Sequence, residues 1–454
     1  MNNLTQQLAS YVAHPVFGDY EQAALAVAGT GFVDTVGTML AGSHELVVQI
    51  MLRHAGVVQT PAEAPVPFAG LMLPAPQAAL INGVAAHALD YDDVALSAHT
   101  STVLVPAILA EGHRLDVSGV EALRAYVVAY EVWAELFSRE SDQYHLKGWH
   151  PTGVFGPVAA AAAVAYLNRL TLDETRQALA IAASMAGGLV VNFGTMTKPF
   201  HAGRAAAAGI EAVRLSKLGL TSSPDVFEHP AGYLNALSPA GRIDRERPAE
   251  MARALRILDS GLSVKAYPVC YSGHRVIDGV LDMTIRENIL PSEVRHVRVT
   301  IGPAQASMLR NHRPQTGLEA KFSIEFAVAA ALVERRVGLS ELTDSFVARH
   351  DIHALMEKVV TNITTQPDML DPAFSYADRV VIELTDGRFF DSGDIRFARG
   401  SFKLPLTTPA LRDKFLDCLK TSALPAYQLP GADAALYERI AQLQGLRSLR
   451  TLFG

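Results

Sequence analysis

Cysteine is almost missing from this chain: Cys270 and Cys418 are the only two in 454 residues, far apart and without metal-type spacing. That excludes a disulfide framework and fits a reducing compartment. The opening Met-Asn-Asn-Leu-Thr-Gln-Gln lacks the basic and apolar regions of a secretion signal, so a cytoplasmic location is expected. Basic runs are absent too, and the net charge is −7, which argues against a general nucleic-acid binder. Aromatic residues make up 7% of the chain, with two Trp. Too few rings are present to line a carbocation cavity, so Asp90-x-Asp92-Asp93 does not read as the acid motif of a terpene-cyclase-like enzyme. No repeat period supports a non-catalytic helical binding scaffold of the solenoid type. Neither a phosphate loop ending in Gly-Lys-Ser/Thr nor a strand-linked G-x-G-x-x-G occurs, so no nucleotide or flavin cofactor is expected. One uncharged tract, Ala178 to Thr197, is long enough to span a bilayer. Its Ser184, Gly187, Gly188, Asn192 and Gly194 dilute the hydrophobicity. It and the alanine-rich Val158 to Leu167 are read as buried core helices, with no membrane partner.

What is present describes a folded protein: 49% hydrophobic and 19% charged residues. The length favours two domains. Up to about residue 260 the pattern predicts helix after helix: Glu21 to Leu40, Ala75 to Asp93, Gly119 to Arg139, Val154 to Leu167, Leu172 to Gly187 and Gly203 to Leu218. Thr171-Leu-Asp-Glu174 looks like a capped helix start. After Lys265 the character changes. His296 to Ile301 alternates with period two, and Arg379 to Phe390 reads as two strands joined at Asp386-Gly387. Ser323 to Glu334 and Asp351 to Val360 look helical between them, and Ala432 to Leu449 after them. The expected fold is mainly α: a large multihelical domain over 1–264 and 406–454, with a smaller α+β domain inserted at 265–405 and built on a small antiparallel sheet.

Four segments carry chemistry. In Gly194-Thr-Met-Thr-Lys-Pro-Phe-His-Ala-Gly-Arg204, three cationic or titratable groups, Lys198, His201 and Arg204, follow the uncharged tract within seven residues. Cations at the edge of a buried pocket gain strength from a low dielectric. The plain alternative is that Pro199 ends a buried helix whose exit they solvate. His87-Ala-Leu-Asp-Tyr-Asp-Asp93 would place His87 on one helical face with Asp90 and Tyr91. Its three carboxylates within four residues need a cation, a donor or a proton. A divalent ion could bind there, but no second acidic cluster of similar density stands out, so no metal is expected. His99 follows on a polar loop at a helix start, a natural anion site. Gly148-Trp-His-Pro-Thr-Gly-Val-Phe-Gly156 sets His150 before an apolar helix, and Lys265 to Arg275 brings Lys265 and His274 to the expected domain boundary. Together these loops suit a small polycarboxylate held by cations and worked on by acid–base groups.

In this order the four segments resemble the MmgE/PrpD family, as does Glu319-Ala-Lys-Phe-Ser-Ile-Glu-Phe326. Its members include 2-methylcitrate dehydratases, cis-aconitate decarboxylases and epimerases of related amino-dicarboxylates. The resemblance implies a helical domain with an α+β lid, commonly a homodimer, a pocket between domains, and chemistry without metal or organic cofactor. Carried over by motif, its pocket residues fall on Asp90, His99, His150, Lys198 and Lys265. This chain departs from the pattern with Thr100 in place of proline, Cys270 in place of the histidine of decarboxylase-like members, and Phe326 in place of a proton-donating tyrosine.

The expected activity is a cofactor-independent lyase of the hydratase/dehydratase type, acting on a 2-methylcitrate-like di- or tricarboxylate. Lys198 and Lys265 would neutralise substrate carboxylates and the developing enediolate, with His201, Arg204 and His274 as further binding groups. His99 or His150, with an ordinary pKa near about 6.5, would serve as base and acid, and Asp90 would tune a neighbouring cation or histidine. The alternative is an epimerase or racemase on the same site, returning the proton to the opposite face.

Overall fold

The computed structural model describes residues 3–56, 62–251, 254–368, 374–422, 424 and 431–454. Two compact units emerge: Met1–Val191, Met196–Leu262 and Thr408–Gly454 form one, and Asn192–Thr195 with Ser263–Thr407 form the other. The protein is mainly α-helical, with small sheets.

In the first unit, the helices Glu21–Ala41, Ala75–Ala88, Ser101–Leu115, Gly119–Phe137, Pro151–Leu167 and Thr197–Lys217 pack around one core. Pro151–Leu167 is apolar all round and buried except at Tyr166, so it forms the axis on which its neighbours lie. Thr197–Lys217 crosses Ala75–Ala88 at two glycines. A methyl group on Gly203 would stand 2.2 Å from Leu80 O, and one on Gly83 would stand 2.8 Å from the Gly203 Cα. A side chain at either glycine would force the helices apart, at a cost of about 1–3 kcal/mol. Thr171 does cap its helix, in a reciprocal box with Glu174, and Ser118 caps Gly119–Phe137 in the same way with Glu121. Thr408–Ser422 packs on Glu21–Ala41.

Several expected boundaries move. Ala75–Ala88 stops before the acidic segment, because Leu89 caps it and Asp90 turns left-handed at φ 53°. His87 therefore shares no helical face with Asp90 or Tyr91. The uncharged tract is not one helix: Leu172–Ala183 ends well before Gly188 (φ 147°) and Gly194 (φ 81°), which hold conformations side chains disfavour. Pro199 lies in the first turn of Thr197–Lys217, starting a helix where the plain alternative had it ending one. Ala64–Val66 and Leu71–Leu73 form a short hairpin that the helical pattern hid. Ala432–Ala441 ends before Leu449. Gly18–His44 is the one stretch among the described residues long and apolar enough to cross a membrane, and 72% of its apolar window is buried inside the protein.

The second unit is built on a four-stranded sheet in the order Val359–Ile363, Val294–Ile301, Arg379–Leu384, Phe389–Asp391. Val297, Val299 and Ile301 are buried beside Val380, Ile382 and Leu384, as period two requires. The sheet is mixed, not antiparallel. The helix expected to reach Val360 ends at Met356, and Val359 starts a strand parallel to Val294–Ile301. Arg379–Leu384 and Phe389–Asp391 pair antiparallel around Gly387 at φ 89°. The helices His274–Arg286 and Ile324–Glu334 pack against this sheet.

Candidate active site

Helix ends meet in the first unit. His87 occupies the last turn of Ala75–Ala88, Lys198 and His201 the first turns of Thr197–Lys217, and His150 the N-cap of Pro151–Leu167. The glycine crossing described above brings the first two helices close enough for these ends to touch. A fourth element, the loop from Leu89 to Thr100, folds back on itself. Leu96 and Ser97 are both left-handed (φ 51° and 54°), and Ala95 and Ala98 exchange hydrogen bonds of 3.0 and 2.9 Å. Left-handed conformations cost ordinary residues roughly 1–2 kcal/mol each. Here the strain reverses the chain so that His99 returns to the acidic segment. The loop is tied to its neighbour by a 3.1 Å bond from the His99 main-chain N–H to the Thr152 hydroxyl.

Asp92 organises the imidazoles. Its two oxygens accept from Nδ1 of His87 at 2.9 Å and Nδ1 of His99 at 2.6 Å. A carboxylate accepts and does not donate, so both rings carry their proton on Nδ1 and keep the lone pair on Nε2. The rings stand 4.1 Å apart between centroids. His99 Nε2 faces the Lys198 ammonium at 3.5 Å, and that ammonium donates to Asp90 Oδ1 at 2.6 Å. His150 lies 6.1 Å from each of the other two rings and shares one hydrogen bond, Nδ1 to Nδ1 at 3.1 Å, with His201.

Burial sets the charge states. It pushes His99 down to about 3, against the attraction of Asp92. It lowers His201 to about 4 and holds His87 and His150 below the ordinary imidazole value, with Lys198 adding to the effect in each. The four rings are therefore neutral at pH 7. Burial alone would raise the Asp92 carboxyl, but the bonds from His87 and His99 outweigh it and keep Asp92 ionised. Its neighbour Asp93 goes the other way. Burial, reinforced by Asp34, raises it well above the carboxylate range, and it accepts from Ser101 at 2.8 Å.

His87, Asp90, Asp92 and His99 offer ligand atoms within 4.8 Å of one another, a group that could hold a metal ion. However, both Asp92 oxygens already take ring N–H groups, and the Asp90 oxygen takes Lys198. The positive charge at that position is the lysine ammonium.

The structure thus brings together Asp90, His99, His150, Lys198 and His201. Arg204 is not with them: its side chain is 43% exposed and pairs with Glu211 at 3.4 Å, about two turns further along a solvated face. Lys265 and His274 belong to the second unit. Lys265 is wholly buried, and His274 lies between the rings of Tyr267 and Tyr271, 3.3 Å from Val269 O. Two residues beyond the expected set matter here, His87 and Asp92. The excess of carboxylates signalled that one of them needed donors, but a helix assumed through Asp93 hid which one.

Two family models match the chain, the MmgE/PrpD N-terminal domain over residues 6–246 and the MmgE/PrpD C-terminal domain over residues 267–428. Cis-aconitate decarboxylase of Mus musculus is 29% identical over 358 residues, 76% of this chain and 71% of the relative. The Homo sapiens protein of the same name is 28% identical over 397 residues, covering 84% and 81%. Cis-aconitate decarboxylase-like protein oryM of Aspergillus oryzae is 27% identical over 361 residues, 74% of each.

Proposed function

Because this chain belongs to the MmgE/PrpD family, we propose that its buried Lys198–histidine cluster is the active centre of a lyase acting on a small di- or tricarboxylate. One observation carries this: a basic imidazole nitrogen and an ammonium stand 3.5 Å apart in a buried setting. Removing a proton next to a carboxylate leaves charge on an enediolate, and a pre-placed cation lowers that barrier more in a dry site than in water.

In dehydration, the Nε2 lone pair of His99 takes the proton from carbon as the C–H bond breaks. The electron pair forms the double bond, and the neighbouring hydroxyl leaves as water after accepting a proton from the His150–His201 pair, which takes that proton up from solvent as the substrate carboxylates bind. Lys198 neutralises the substrate carboxylate and enediolate throughout. The imidazoles start as weak bases, and the approaching carboxylates raise their basicity, so the site is activated by its own substrate. Decarboxylation, the activity in the names of the relatives, passes through a different carbanion that the same cation would stabilise. There a C–C bond breaks, carbon dioxide leaves and an imidazolium returns a proton to carbon.

An epimerase or racemase is the second reading. His150 provides a second imidazole 6.1 Å from His99, so one face can lose a proton and the other regain it. The test is a turnover screen of citrate-like and aspartate-like acids in heavy water, followed by mass spectrometry and chiral analysis. Loss of water, loss of carbon dioxide and deuterated stereoisomers separate the three outcomes. An absence of any turnover across the panel would contradict the enzyme assignment.

A further inference from the structure

Lys414 lies on Thr408–Ser422, far in sequence from the histidine cluster, and no step above uses it. It is buried, and its ammonium makes three contacts. It stands 2.6 Å from Asp34 Oδ1, donates to the main-chain oxygen of Tyr91 at 2.7 Å, and sits 4.0 Å from the centroid of the Tyr91 ring. Tyr91 is the residue between Asp90, which holds Lys198, and Asp92, which holds His87 and His99.

We infer that Lys414 is a positioning residue: by gripping the carbonyl and ring of Tyr91 it fixes where the Asp90 and Asp92 carboxylates point. This rests on the Lys198 cluster being the active centre. The segment needs such a grip. It has left its helix, it contains a left-handed Asp90, and its crowded carboxylates repel one another. A hydrogen bond from a cation is stronger than a neutral one, and the face of a tyrosine ring attracts the same charge. A merely structural role would not require the ion pair, since well-packed apolar residues often replace a buried pair without loss of stability, whereas removing one partner alone leaves a costly unpaired charge.

The test therefore removes both partners, in the double variant Asp34→Asn/Lys414→Met, with Lys414→Arg as the conservative comparison. Ring nitrogen shifts of 15N-labelled histidine report the Nδ1 bonds of His87 and His99 directly and need no turnover. We expect those signals to move in the double variant while its melting temperature stays near that of the parent. With a substrate in hand, kcat should fall about a hundredfold, the cost of a misplacement of about 1 Å, with KM little changed. Lys414→Arg should recover part of that loss. Unchanged ring signals would overturn the inference whatever the rates do. If the wild-type protein turns over no acid, the signals still decide the matter, so the two claims fail separately. If the double variant does not fold, Lys414→Gln, too short to reach both partners, is read in the same way.

Discussion

The Lys198 ammonium and the Asp90 carboxylate meet at 2.6 Å across 108 residues of sequence, with their side chains 5% and 4% exposed. Burying two charges is costly, and such a pair is seldom kept for stability alone. Here the pair sits beside the lone pair of His99, so the ammonium is held where it can meet an anion while its own burial is compensated.

Asp92→Asn should separate orientation from acidity. An amide oxygen accepts from one ring, but its NH2 group cannot accept from the other, so His87 or His99 must turn or change tautomer. We expect kcat to fall by a factor of about 10²–10⁴, the range seen when an imidazole loses the partner that orients it. Steady-state kinetics and histidine 15N shifts check this. Unaltered shifts with full activity would show that Asp92 does not set the tautomers.

Stability should depend on pH through the buried imidazoles. His99 titrates at about 3 and His201 at about 4 in the folded chain, against about 6.5 when unfolded. Between about 6.5 and those values the unfolded chain binds more protons, so stability rises with pH. The contribution is complete above about pH 6.5 and disappears as pH falls toward 3–4. Each such histidine adds a slope of roughly 1.4 kcal/mol per pH unit inside the window. Urea unfolding of His201→Asn from pH 4.5 to 7 should give a shallower slope than the parent protein. Parallel slopes would contradict the neutral, buried state of His201.

Arg204→Ala is expected to leave kcat and KM within about twofold, because its half-exposed pair with Glu211 is worth about 0–1 kcal/mol. A large rise in KM would return Arg204 to the substrate-binding set.

Much of this was legible before the structure. The cationic and histidine segments stood out because they interrupt apolar runs, and the strands at Val294–Ile301 and Arg379–Leu384 followed from alternation. Two kinds of feature were not legible. Helix ends moved wherever small, uncharged residues carried no stop signal strong enough to read, as at Ala88 and Ala183. The partners of buried charges depend on a three-dimensional crossing. Gly83 and Gly203 create the crossing whose helix Thr197–Lys217 carries Lys198 to Asp90, and the packing of Thr408–Ser422 on Glu21–Ala41 sets Lys414 against Asp34, neither of which the spacing of these residues reveals.

The most direct test is the turnover of Lys198→Ala on whichever carboxylic acid the parent converts, with circular dichroism confirming the fold. Loss of activity beyond detection in a folded protein is the expected result. Near-normal turnover would mean that the ammonium of residue 198 takes no part in the reaction, and the assignment of this cluster would fall with it.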